Sequence, residues 1–146
     1  MALNKIQRDK AWLNKDLTPT QEFAELIEDL IQEFLDMATN AQLISVRPST
    51  TGITSVYTSP ASNNGGRGTT ITQFMATEPA GTATYSVFIG SSATDSTKVI
   101  SSRTAAADGD SPPSIINQLV KPGESIFVQA SAIDKIVFYA SGTERR

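Results

Sequence analysis

Apolar residues recur every three or four positions in one early segment and at every second position through most of the remaining chain. In the early segment the spacings are four, three, four and three, which is typical of one face of an α-helix. Thr18, Pro19 and Gln21 form a capping box that predicts the helix start, and the apolar pattern extends the helix to Thr39. The apolar face forms a predicted oligomerisation seam: Phe23, Ile27, Leu30, Phe34 and Met37.

Two interpretations of this seam stay open from the sequence. The helix either packs on the rest of its own chain or associates with copies of itself, and fewer than three heptads do not decide between them. Six acidic residues and no basic ones lie between positions 17 and 40, so their repulsion disfavours an isolated helix. We therefore expect the helix to depend on apolar packing.

From Ala41 onward the period is two, which predicts strands with one buried and one solvated face. Glu78–Gly81 is predicted to close a hairpin, and Lys121–Glu124 is predicted to form a type II turn with Gly123 at the positive-φ position. The predicted strands are Gln42–Val46, Ile53–Thr58, Thr69–Ala76, Thr82–Ile89, Lys98–Arg103, Ile115–Val120, Ser125–Ala130 and Lys135–Ser141.

Short strands divided by turn signals predict a mainly β fold, an antiparallel β-sandwich of jelly-roll or immunoglobulin-like type, preceded by an N-terminal amphipathic helix. The predicted organisation is an N-terminal arm at 1–16, a helix for attachment or oligomerisation at 17–40, and a β-sandwich domain at 41–146. The arm carries four basic and two acidic residues, and its predicted partner anchors are Ile6, Trp12 and Leu13.

Composition argues against an enzyme, because the chain of 146 residues contains neither histidine nor cysteine. The acids of the β-domain mostly lie beside turn signals, where carboxylates are usually solvated or bound to their own backbone. Asp108 and Asp110 resemble a fragment of a calcium loop but lack the further acidic ligands. We therefore predict no catalytic residue, no cofactor and no metal site.

Three aromatic residues fall opposite the predicted core in their strands, namely Phe88, Phe127 and Tyr139. Apolar surface beyond the core marks an interaction site, so these residues are predicted exposed sheet-face contacts. The alternative is that the helix covers that face.

The segment Leu119–Glu144, LVKPGESIFVQASAIDKIVFYASGTE, resembles a recurrent ending of small tailed-bacteriophage virion proteins. In that ending a leucine-led strand runs through a PGE turn into a strand ending in an alanine–serine pair, and a final strand ends in SGxE. Val56–Pro60 and Thr69–Ile89 resemble the same domain, so the resemblance covers about residues 53–144. It implies a structural β-sandwich of the head-decoration, head-fibre, collar or tail-associated type, and it carries no active-site residue.

The sequence therefore leads us to expect a non-enzymatic virion protein, an accessory component of the head or neck such as a decoration, cement or short-fibre protein. The alternatives are a tail or head–tail connector component and a carbohydrate-binding or host-adhesion module. The expected partners are capsid, neck or tail proteins and further copies of the chain, with neither nucleic acid nor membrane. No signal-peptide pattern occurs at the N-terminus, so the expected location is the virion after synthesis in the host cytoplasm.

Overall fold

A computed structural model describes residues 21–35 and 39–146, with side chains described for residues 23–31 and 40–146. The chain divides into two compact units, residues 1–37 and 38–146. In the first unit, helix α1 spans Gln21–Leu35. Its prediction to Thr39 is too long, because Thr39 and Asn40 pair as strand residues with Glu144 and Thr143.

The second unit, called here the β unit, contains eight strands within residues 39–146. Each predicted strand is confirmed, although Leu119–Val120 is much shorter than predicted because turns occupy residues 113–117. The strands are β1 (Thr39–Val46), β2 (Thr54–Thr58), β3 (Gly68–Thr77), β4 (Thr84–Gly90), β5 (Lys98–Thr104), β6 (Leu119–Val120), β7 (Ser125–Ala130) and β8 (Val137–Arg145).

These strands form two antiparallel sheets of four, which together make a sandwich-like arrangement. The first sheet has the order β1-β8-β3-β6, and the second has the order β2-β7-β4-β5. In the first sheet β8 pairs with β1 on one side and β3 on the other, so the strand nearest the C-terminus is internal. The turn at Glu78–Gly81 therefore connects two sheets, and the predicted hairpin between β3 and β4 is wrong.

The core lies between the inner faces of the sheets and follows the predicted alternation. Ile126, Val128 and Ala130 on β7 are buried, as are Phe138 and Ala140 on β8. Aromatic rings join the sheets, because the ring of Tyr85 from β4 lies 6.2 Å from that of Phe74 and 5.6 Å from that of Phe138 between centroids. Such contacts add specific ring geometry to the burial of apolar surface.

The predicted turn at Lys121–Glu124 is confirmed. Gly123 has φ of 78°, and the Glu124 N–H donates to the Lys121 carbonyl oxygen at 3.0 Å. Glycine suits this position because it has no side chain to clash at positive φ.

Candidate functional site

The carboxylate of Asp110 is held by two other residues. Arg103 donates to it in a fork, from Nε to Oδ2 at 2.6 Å and from Nη2 to Oδ1 at 2.8 Å, and the Tyr85 hydroxyl donates to Oδ2 at 2.6 Å. The Arg103 hydrogen bonds are the main cause that lowers the pKa of Asp110. Burial, followed by the Asp110 contact, raises the pKa of Tyr85. This arrangement tethers the loop after β5 to the core, and it leaves no carboxylate oxygen of Asp110 without a protein partner.

A second tyrosine–carboxylate pair joins the two sheets. Tyr57 on β2 donates its hydroxyl proton to Glu144 Oε1 on β8 at 2.7 Å, and the same hydroxyl lies 2.7 Å from Thr69 Oγ1 on β3. Ser59 Oγ lies 3.0 Å from that threonine oxygen. Burial is the largest cause that raises the pKa of Tyr57, to about 12. The pair is a hydrogen-bonded cross-link between the sheets.

Glu78 is the most deeply buried carboxylate among the described side chains, with 2% of its surface exposed. It accepts hydrogen bonds from the backbone N–H groups of Ala80, Thr82 and Ala83, and the bond from Thr82 is the main cause that lowers its pKa. Glu78 thus organises the connection between the sheets. In the described part of the chain, no three acidic residues come together as metal ligands.

The three predicted sheet-face aromatics do not share one surface. Phe88 and Phe127 are paired across β4 and β7 of the second sheet, whereas Tyr139 lies on β8 of the first. Phe127 and Tyr139 are half-buried, and their role as contacts stays a prediction. For Phe88 the predicted exposure is wrong, because only 3% of it is exposed. Irregular pairing of β5 brings Lys98 opposite Phe88, and the Lys98 ammonium lies 5.5 Å from the ring centroid.

Helix α1 contains most of the predicted oligomerisation seam. Phe23 and Leu30 are half-buried, whereas 39% of Ile27 is exposed. Outside the seam, Leu26 is buried and 51% of Ile31 is exposed. Phe34 lies on the helix beyond the described side chains, and Met37 lies outside the described residues. The arm anchors Ile6, Trp12 and Leu13 also lie outside them.

A shallow depression of about 350 Å³ lies on the outer face of the second sheet. Ser86 on β4 and Gln129 on β7 form a cross-strand pair that lines it, and their neighbours along each strand are buried in the core. We call this depression the hydroxyl groove, and its polar side chains are Thr51, Thr84, Ser86, Ser102, Gln129 and Ser131. Among the described residues, no charged side chain lines the groove.

Hydrogen bonds fix the walls of the hydroxyl groove. The Gln129 side chain donates from Nε2 to the Thr51 carbonyl oxygen at 3.3 Å, and Ser131 Oγ accepts from the Thr84 N–H at 2.8 Å. Ser102 has φ of 45°, which is uncommon for a residue with a side chain. It lies where β5 has one extra residue opposite Ser86, and its N–H donates to Ser86 Oγ at 3.0 Å.

Several polar atoms of the groove are left for solvent or a ligand. Within the described residues, the structure gives no protein hydrogen-bond partner to the hydroxyls of Thr51, Thr84 and Ser102 or to Oε1 of Gln129. The arrangement can donate and accept hydrogen bonds. These residues carry no distinguishing signal in the sequence, because outward-facing Ser, Thr and Gln are ordinary on a solvated sheet face.

Comparisons with known proteins identify no relative: no family model, no curated protein and no solved structure matches the chain. Among the described helical residues, no segment has the length and apolar character that a membrane-crossing helix requires.

Proposed function

We propose that this chain is a non-enzymatic structural protein of a bacteriophage particle, which displays its β unit and attaches through its N-terminal region. The observation that carries the proposal is the exposure of Ile27 and Ile31 on helix α1, at 39% and 51%. A helix that leaves large apolar side chains in solvent is suited to bind a partner or a second copy of itself. The resemblance of Leu119–Glu144 to virion proteins is our reason for proposing a phage particle as the place where the chain acts.

The chemistry of the β unit favours a structural role. Asp110, Glu78 and Glu144 are each held by hydrogen bonds that join loops or sheets. The described residues contain no buried side-chain nitrogen or oxygen without a hydrogen-bond partner. Polar groups that stabilise a fold in this way are not poised to react, and the chain has no histidine or cysteine to take their place.

Within this class we favour a homo-oligomeric accessory component of the head or neck, a decoration, cement or short-fibre protein with a jelly-roll or immunoglobulin-like sandwich. A tail or head–tail connector component is the alternative. The two antiparallel sheets of four strands are compatible with both sandwich types. Display on a particle requires a β unit that tolerates solvent on its outer faces, and the polar outward residues meet that requirement.

Electron microscopy of labelled particles tests the proposal. Antibodies against residues 41–146 are applied to purified phage particles and located with gold conjugates. We expect regular labelling of the head or neck, whereas labelling at the tail would select the alternative. Unlabelled particles that also lack the chain by mass spectrometry would contradict a virion role.

A truncation then tests the mode of attachment. Deletion of residues 1–16 is expected to leave the β unit folded and to abolish incorporation into particles, because Trp12 and its apolar neighbours are removed. Trp12→Ala is expected to weaken incorporation, and Trp12→Phe is the matched control that keeps an aromatic anchor. Full occupancy of particles by the truncated chain would assign attachment to helix α1 or to the β unit.

A further inference from the structure

We propose that the hydroxyl groove binds an uncharged segment of an oligosaccharide. The groove belongs to the β unit alone, and the proposal goes beyond the structural role in a particle. Its residues come from the loop before β2 and from strands β4, β5 and β7 with the residue that follows β7, so three of the four strands of the second sheet line it. A site on a sheet of paired strands is more rigid than one on loops.

The hydrogen-bonding capacity of the groove matches that of a sugar. Each sugar hydroxyl both donates and accepts, and the unpartnered hydroxyls of Thr51, Thr84 and Ser102 do the same. Oε1 of Gln129 adds an acceptor, and the amide is already oriented by its bond to the Thr51 carbonyl oxygen. A preoriented polar group loses less conformational entropy when a ligand binds.

The uncharged lining described for the groove favours neutral ligands over anionic ones. Phosphate and carboxylate groups are normally held by arginine, lysine or helix N-termini, and the described residues that line the groove include none of these. A nucleic acid would need basic side chains along its backbone. An uncharged polyol therefore fits the lining better than an anionic polymer.

A neighbouring aromatic side chain supplies the apolar contact that sugar rings also need. Phe127 lies on the same outward face of β7 as Gln129, two residues away and thus about 6.6 Å along the strand. Phe127 does not line the groove itself, but it is only half-buried, so part of its surface is exposed on the same face of the sheet. The C–H face of a sugar ring can pack on such a ring while its hydroxyls reach the polar side chains.

A second polar depression, of about 520 Å³ on the first sheet, offers fewer free polar groups. Three of its polar side chains are hydrogen-bonded: Thr143 Oγ1 donates to Asn40 Oδ1 at 2.9 Å, Thr72 Oγ1 donates to the Ser141 carbonyl oxygen at 3.2 Å, and Ser141 Oγ donates to Gln73 Oε1 at 3.5 Å. Gln42 lines it and is exposed, which makes this depression a matched control surface.

The test uses the purified full-length chain, without particles, on a printed array of neutral and anionic bacterial surface oligosaccharides. The strongest neutral oligosaccharide is then titrated by NMR. We expect amide shifts at Thr84, Ser86, Ser102 and Gln129, and we expect Gln129→Ala to weaken binding about tenfold through the loss of one to two hydrogen bonds. Gln42→Ala should leave the affinity unchanged.

Three outcomes would overturn the proposal. The first is no binding of any neutral oligosaccharide on the array, and the second is binding of anionic oligosaccharides alone. The third is binding that maps outside the groove or that Gln42→Ala weakens as much as Gln129→Ala. Since no particle is used, failure here leaves the proposed structural role standing, and failure of particle labelling leaves the groove standing.

Discussion

The exposure of large apolar side chains to solvent differs between the two units of the chain. In the β unit, inward residues such as Phe74, Ile126 and Phe138 have no exposed surface, whereas on helix α1 two isoleucines remain substantially exposed. The β unit therefore has an enclosed core, and helix α1 exposes two large apolar side chains. From this difference we propose that stability and assembly reside in separate parts of this chain.

The largest effect is expected in the enclosed core. Phe138→Ala removes a ring that contacts both Phe74 and Tyr85, and it should lower the free energy of unfolding by about 3–5 kcal/mol. Chemical denaturation followed by circular dichroism measures the loss. Phe127→Ala, on the half-buried outer face, is the matched control and should lose clearly less. Equal losses of unfolding free energy would contradict the described difference in burial between the inner and outer faces of β7 and β8.

The Asp110 carboxylate links a loop to that core, and its removal should have a smaller effect. Asp110→Asn is expected to cost about 1–2 kcal/mol at neutral pH, because the charged hydrogen bonds from Arg103 weaken. The pKa of Asp110 is lowered in the folded state, so this stability is present above the ordinary carboxyl pKa of about 3.9 and is lost as pH falls below it.

Denaturation measured between pH 6 and pH 2 tests this dependence. The native chain should lose more stability on acidification than Asp110→Asn, and the difference between them should shrink toward zero at the acidic end. A constant difference across the range would show that the carboxylate charge does not contribute.

Tyr57→Phe breaks the cross-link between the sheets and should cost about 1 kcal/mol, because a single hydroxyl and its hydrogen bonds are lost. The pKa of Tyr57 is raised from 10.0 to about 12, so the folded state keeps a proton that the unfolded state releases between these values. Stability should therefore fall as pH rises through that window in the native chain, and less steeply in Tyr57→Phe. If the free energy of unfolding falls equally steeply with rising pH in the native chain and in Tyr57→Phe, Tyr57 is not the cause of the alkaline loss of stability.

The smallest effect on unfolding is expected from helix α1. Ile27→Asp should change the free energy of unfolding of the β unit by less than about 0.5 kcal/mol, because its site lies in the other unit. Light scattering should nevertheless show a lower molecular mass if the helix self-associates. Glu28→Gln, on the adjacent exposed position, is the control. A large loss of β-unit stability would favour a seam that packs on the β unit.

Periodicity in the sequence was enough to place all eight strands, because alternation records which face of each strand is buried. It did not indicate which strands are neighbours. The contact between Tyr57 and Glu144 joins residues far apart in sequence, and nothing local to either residue signals it. The prediction that the Glu78 turn closes a hairpin was wrong for the same reason. A short turn can connect two paired strands of one sheet or two strands in different sheets.

The hydroxyl groove and the burial of Phe88 depend on irregular pairing between β4 and β5, which the sequence does not indicate. Positive φ is usually signalled by glycine or asparagine, but here it falls on Ser102 in the sequence Ser101-Ser102-Arg103. The extra residues in β5 shift its pairing with β4, which brings Ser102 to the groove and Lys98 over Phe88. Two neighbouring register shifts in this pairing therefore account for the missed site and for the wrong exposure predicted for Phe88.

The internal position of β8 has a consequence for the order in which the newly synthesised chain folds. All strands of the second sheet have been synthesised once Ala130 has been added, whereas β1 and β3 must wait for the synthesis of β8 before their main pairings can form. Pairing of Thr39 with Glu144 closes a loop that includes nearly the entire β unit, and such distant contacts form slowly. During translation β1 is thus an unpaired strand without a charged side chain, so co-translational aggregation should start there.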